Sequence, residues 1–158
     1  ILAERTVEQL KYIHAVYDLA KEKGYIQDAT FTGMKHRMEQ ENMQRSEKVA
    51  RGEAVYGLKE YTLDLYQEYE LSMIEEAYIL DETNEGMGLT EEEIEAYYNT
   101  RDWIVGEDAR KADLSEARAA VIDEMRRNRY KELTEQKAAV AEVDGDMDQL
   151  SQFTLKQL

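Results

Sequence analysis

The sequence predicts an all-α fold, an irregular bundle of about five helices of which two are long. Three observations predict it. No proline occurs in the 158 residues, so no helix is interrupted by a missing amide donor. Glu, Lys, Ala, Leu and Met, which lose little side-chain freedom in a helix, are abundant. Apolar residues recur every three or four positions rather than alternating.

The first helix is expected over about residues 3–23, with Leu10, Ile13, His14, Val16, Tyr17 and Ala20 on one broad face and Gly24 ending it. A second helix should start near Phe31, capped by Asp28 or Thr30. Its stripe is Phe31, Met34, Met38, Asn42, Arg45 and Val49, which places two polar groups on the face to be buried. Gly52 to Gly57 breaks the pattern as a loop.

The third helix, about 58–82, is apolar nearly all round. Leu58, Tyr61, Leu65, Tyr69, Met73 and Leu80 cover one side, and Leu63, Tyr66, Leu71, Ile74 and Tyr78 much of the rest. Such a helix is packed on several sides or keeps one aromatic face for a partner. An acidic loop, 81–88, follows. In Leu89-Thr90-Glu91-Glu92-Glu93-Ile94, Thr90 should cap a short fourth helix. Glu93 should reach back to the Thr90 amide while Leu89 and Ile94 staple the start. That helix fades near Thr100, and Trp103 falls in an irregular segment. Asp113, with Glu116 three residues on, should cap the long fifth helix, whose stripe is Leu114, Val121, Ile122, Met125, Leu133 and Val140. It ends near Val143, giving one helical domain over 1–143 and a C-terminal tail over 144–158.

Composition narrows the function. The net charge of −15 opposes polyanions, so nucleic acid and anionic membrane surfaces are disfavoured as partners. No stretch approaches the roughly 20 apolar residues of a membrane span, so direct insertion is not expected. The absence of cysteine excludes disulfides, thiolate metal sites and a cysteine nucleophile. Ile1 already lies within a helical pattern, which suggests a trimmed or mature fragment.

No catalytic, cofactor or metal site emerges. His14 and His36 are the only histidines and neither sits in a Glu-x-x-His arrangement. His14 reads as a packed, hydrogen-bonded side chain and His36 as a surface one. The run Glu142-x-Asp144-x-Asp146-x-Asp148 spaces carboxylates like a calcium loop, but lacks its glycine and its final bidentate glutamate. Asn42 and Arg45 cannot be buried unpaired without a cost of several kcal/mol. Glu53 is the expected partner for Arg45, and the three should fasten the 52–57 loop to the bundle. Tyrosine and methionine stripes are usually core, yet they also suit an adaptable peptide cradle. Tyr66, Tyr69, Met73, Tyr97 and Trp103 are the candidates for one.

Two segments resemble a known family: Glu41-Asn42-x-x-Arg45 with Gly52-Glu53-x-x-Tyr56-Gly57, Tyr61, Tyr66 and Tyr69; and Leu89 to Ile94 with Tyr97-Tyr98, followed by the helix ending Ala141-Glu142-Val143-Asp144. Together they resemble the helical chaperone domain (SurA N-terminal-like) of SurA/PrsA-type peptidyl-prolyl isomerases. The likeness covers roughly residues 1–144. It implies an extracytoplasmic chaperone or foldase-like domain that binds unfolded or exported polypeptides without a cofactor. The parvulin block that would catalyse isomerisation is absent, so no catalytic residue is carried over. The alternative is a structural or adaptor bundle with one dedicated protein partner, or a homodimer through the third helix.

Overall fold

A computed structural model describes residues 2–107 and 109–141, with side chains from Val7 onward. The expected tail over 144–158 and the carboxylate run from Glu142 lie outside the described residues. The described residues are all-α apart from one minimal hairpin. In order come α1 (Leu2–Glu22), α2 (Phe31–Ala50), α3 (Leu63–Leu80), α4 (Glu91–Tyr98), β1 (Ile104–Val105), β2 (Arg110–Lys111) and α5 (Leu114–Val140). Two compact units divide it: residues 1–74 with 135–158, and residues 75–134.

In the first unit, Gly24 adopts φ 74° and turns the chain so that the Tyr25 N–H reaches the Ala20 carbonyl at 2.9 Å. Thr30 caps α2, accepting the Gly33 N–H at 3.1 Å, while Asp28 accepts the Thr30 N–H at 2.8 Å. Both candidate caps are therefore used, one behind the other. The close turn needs Gly33, because a β-carbon there would stand 2.5 Å from the Asp28 side chain. Ile13, Val16, Tyr17 and Ala20 of α1 pack with Ile26, Met34 of α2, and Tyr66 and Ile74 of α3. Each such buried aliphatic side chain contributes on the order of 2 kcal/mol. His14 lies at the edge of this core, 3.0 Å from Asp18.

In the second unit, α4 opens with the expected reciprocal cap. Glu93 accepts the Thr90 N–H at 2.9 Å and Thr90 accepts the Glu93 N–H at 3.2 Å. Leu89 packs against the core that contains Ile94. The same device starts α5, where Glu116 accepts the Asp113 N–H at 3.1 Å and Asp113 accepts the Glu116 N–H at 2.9 Å. Ile94, Trp103, Ala112, Ala117, Val121 and Met125 form the core. Arginines of α5 fasten the 81–88 loop: Arg126 donates to the Met87 carbonyl at 3.0 Å, and Arg129 to the Gly86 carbonyl at 3.1 Å. Arg129, which falls in the apolar stripe of α5, also pairs with Glu93 at 2.7 Å.

Two boundaries differ from the sequence reading. The hairpin pairs Ile104 with Lys111 and Val105 with Arg110, antiparallel. Strands of two residues carry no readable alternation, so this segment reads as irregular. The third helix begins at Leu63 rather than near residue 58. The Leu58 carbonyl and the Tyr61 N–H, which a helix from residue 58 would use internally, are bonded to side chains of α2 instead.

Candidate functional site

Those side chains belong to a connected cluster in the first unit. Asn42 donates to the Tyr61 carbonyl at 2.9 Å and accepts the Tyr61 N–H at 2.7 Å, so one amide satisfies both polar groups of that residue. Three residues on, along the same face of α2, Arg45 donates to the carbonyls of Tyr56 at 3.1 Å and Leu58 at 2.7 Å. It also donates to the Tyr61 hydroxyl at 3.4 Å, and its guanidinium carbon stands 4.8 Å from the centre of the Tyr61 ring. The 51–62 segment is thereby clamped to α2 at three residues.

Arg45 does not use Glu53. Its carboxylate is Glu41, one helical turn back, at 2.8 Å, and Glu53 accepts instead from Arg51 at 2.6 Å. Gly52, at φ 74°, turns the chain so that the Glu53 N–H bonds the Lys48 carbonyl at 3.0 Å. This keeps Glu53 at the end of α2. Glu41 lies at the favourable acid-before-base spacing.

On the clamp rests an aromatic platform. The Tyr61 ring meets Tyr66 edge-on at 5.6 Å and Tyr69 at 5.2 Å, and Tyr66 and Tyr69 lie 5.9 Å apart. Beneath it Glu70 is buried, and both its oxygens accept from Arg37 at 2.7 Å. Arg37 also donates to the Asp28 carbonyl at 2.6 Å. Burial and the Glu70 carboxylate push the hydroxyls of Tyr17 and Tyr66 well above the usual phenol range. These shifts keep the phenols neutral, as a core network does, and do not bring them toward the range of a general acid or base.

The predicted contact residues divide between core and surface. Tyr66 is only 6% exposed and Trp103 only 8%, so both rings are interior. Trp103 donates its ring N–H to the Tyr98 carbonyl at 3.1 Å, under the guanidinium of Arg101. Tyr97 is half-buried, donating to Glu124 at 2.8 Å and accepting from Asn128 at 3.0 Å. Tyr69 and Met73 are on the surface, 38% and 51% exposed, and Leu65 joins them at 40%. The three stand one helical turn apart along α3. Tyr56, on the clamped segment, is 89% exposed. Sequence reasoning places Leu65 and Tyr69 in an apolar side of the third helix without choosing which side is wet. Tyr56 carries no periodic signal at all.

Among the described residues no group of three His, Asp or Glu side chains could hold a metal ion, and no helix is long and apolar enough to cross a membrane.

No known protein-family profile matches the sequence. Over 158 residues, 99% of the chain, it is 36% identical to a protein of Bifidobacterium longum subsp. longum described as a chaperone for lacto-N-biosidase. The chain spans a little over half, 56%, of that relative's length. Two crystal structures of GH136 lacto-N-biosidase from Eubacterium ramulus share the fold. The native structure matches with a TM-score of 0.68 at 19% identity, over 84% of this chain and 28% of that one. The selenomethionine derivative gives 0.74 at 17% identity, over 92% and 30%. At these identities the likeness is one of fold.

These findings overturn the resemblance to SurA/PrsA-type isomerases. The motifs that carried it are local devices. Thr90 to Ile94 is a helix start, and Asn42 with Arg45 is a loop clamp. Unrelated helical folds meet the same requirements at helix ends and loop attachments, so such motifs do not report ancestry.

Proposed function

We propose that this chain is a chaperone domain dedicated to one folded enzyme, a glycoside hydrolase of the lacto-N-biosidase type. The observation that carries this reading is the 36% identity, along nearly the whole chain, to a chaperone for lacto-N-biosidase. A second supports it: the same fold occupies under a third of a lacto-N-biosidase chain. Helical module and hydrolase are there parts of one polypeptide, which fits a fixed one-to-one relation better than a passing hold on many clients. Within the two readings drawn from the sequence, this favours the dedicated partner over unfolded polypeptides at large.

Co-expression tests it. Lacto-N-biosidase of Bifidobacterium longum is produced alone, with this chain, and with the Bifidobacterium chaperone as positive control. Soluble enzyme and hydrolysis of a chromogenic lacto-N-bioside are then measured. Both should rise with this chain, and an unrelated aggregating client should gain nothing. Rescue by the control but not by this chain would sink the reading. Equal protection of the unrelated client would return it to general polypeptide binding.

A further inference from the structure

Resting on that reading, we propose that the outer face of α3 in the first unit, formed by Leu65, Tyr69 and Met73, docks onto the folded hydrolase. The matching hydrolase surface is apolar with lysine or arginine along its edge.

Three properties of the face select this occupant. The first is its rigidity. Tyr69 is packed against Tyr61 and Tyr66, and Tyr61 is covered in turn by Arg45, which also holds the backbone at Tyr56 and Leu58. An aromatic anchor already held in place loses little side-chain entropy on binding, which suits one fixed partner surface. Surfaces that accept many unfolded segments use mobile side chains instead.

The second is charge. Helix α3 contains Asp64, Glu68, Glu70, Glu75 and Glu76 and no lysine or arginine. Glu70 is neutralised by Arg37, and Glu75 and Glu76 by Arg127. Asp64 and Glu68 remain exposed beside the apolar stripe and pair with no cation among the described residues. A line of carboxylates along the edge of an apolar stripe calls for cations on the partner.

The third excludes a second copy. A symmetric dimer through this face would bring the Asp64 and Glu68 edges of two chains together, each chain carrying −15 overall. Like charges juxtaposed in that way oppose association.

The test uses the full 158-residue chain and the Bifidobacterium longum lacto-N-biosidase, with affinity titrated at two salt concentrations. The double variant Tyr69→Ala with Met73→Asp should keep its melting curve but bind at least about 30-fold more weakly, the loss of a hot-spot pair. Glu68→Lys should bind more weakly and with a flatter salt dependence. Ile104→Asp, an exposed apolar position on the hairpin, should bind as the wild type does. If the double variant fails to fold, Met73→Asp alone carries the test at a half-exposed site.

Undiminished binding by the folded variant overturns this inference and leaves the chaperone reading intact. A wild-type dimer that the variant dissolves also overturns it, and assigns the face to a second copy. No complex and no active enzyme with the wild type, where the control chaperone gives both, takes down the function reading itself.

Discussion

Arg45 divides its donors among two carbonyls, a carboxylate and a phenol, and those partners come from α2, the 51–62 segment and the residues just before α3. Its side chain is 14% exposed, with the bonds to Glu41 and the Tyr61 hydroxyl part-buried and those to the two carbonyls at the solvent edge. Replacing it with alanine leaves the carbonyls of Tyr56 and Leu58 without that donor. The unfolding free energy should fall by about 2–3 kcal/mol, the loss of charge-assisted bonds at a partly buried site. Arg45→Lys should recover less than half of that, because an ammonium cannot bridge separated acceptors as a planar fork does. Glu53→Ala should change stability by no more than about 0.5 kcal/mol, since its pair with Arg51 is half-exposed. Urea unfolding measures all three. At this scale the importance of Asn42 and Arg45 is legible, because polar residues on an apolar stripe demand partners. Their partners are not legible, because they depend on the path of a loop that the sequence marks only by its glycines.

Helix starts carry the next level. Glu93 and Glu116 each bond a backbone amide across a cap and an arginine beyond it. The Arg110 guanidinium, then the Asp113 amide, draws the Glu116 carboxyl from its usual 4.5 down to about 2. The Thr90 amide, then Arg129, holds Glu93 below its usual value. The unfolded chain therefore takes up these protons at higher pH than the folded one. The stability they supply is complete above about pH 4.5 and is lost as pH falls toward 2. Thermal melts should show a lower midpoint at pH 3 than at pH 6. Glu116→Gln should flatten that slope, since its amide oxygen still accepts the Asp113 N–H but no longer titrates. A slope unchanged in this variant would assign the acid sensitivity elsewhere. Both caps are readable from spacing alone. The true start of α3 is not, because residues 58–62 have helical apolar spacing and are drawn out of the helix by tertiary hydrogen bonds.

Over the whole molecule, net charge opposes compaction. With −15 on 158 residues, self-repulsion is relieved as salt screens it over roughly 8–10 Å. The melting midpoint should therefore rise between a few mM and about 150 mM salt. A fall would mean that the exposed ion pairs, such as Arg118 with Glu91, outweigh the repulsion. The all-α class is legible from the absence of proline and the helical period. The division into two compact units is not, because its boundaries fall inside α3 and α5, where the pattern is unbroken. Evolutionary kinship is not legible in these motifs either, because caps and clamps answer local physics and recur wherever a helix begins.

The protein carries its own optical probe. The sole tryptophan, Trp103, sits in the core of the 75–134 unit, whereas the Tyr61, Tyr66 and Tyr69 platform belongs to the other. Indole emission therefore follows one unit, while helical ellipticity follows both. Coincident transitions in the two signals would mean that the chain opens all at once. Separated transitions would mean that one half of the chain can stand formed while the other is still assembling.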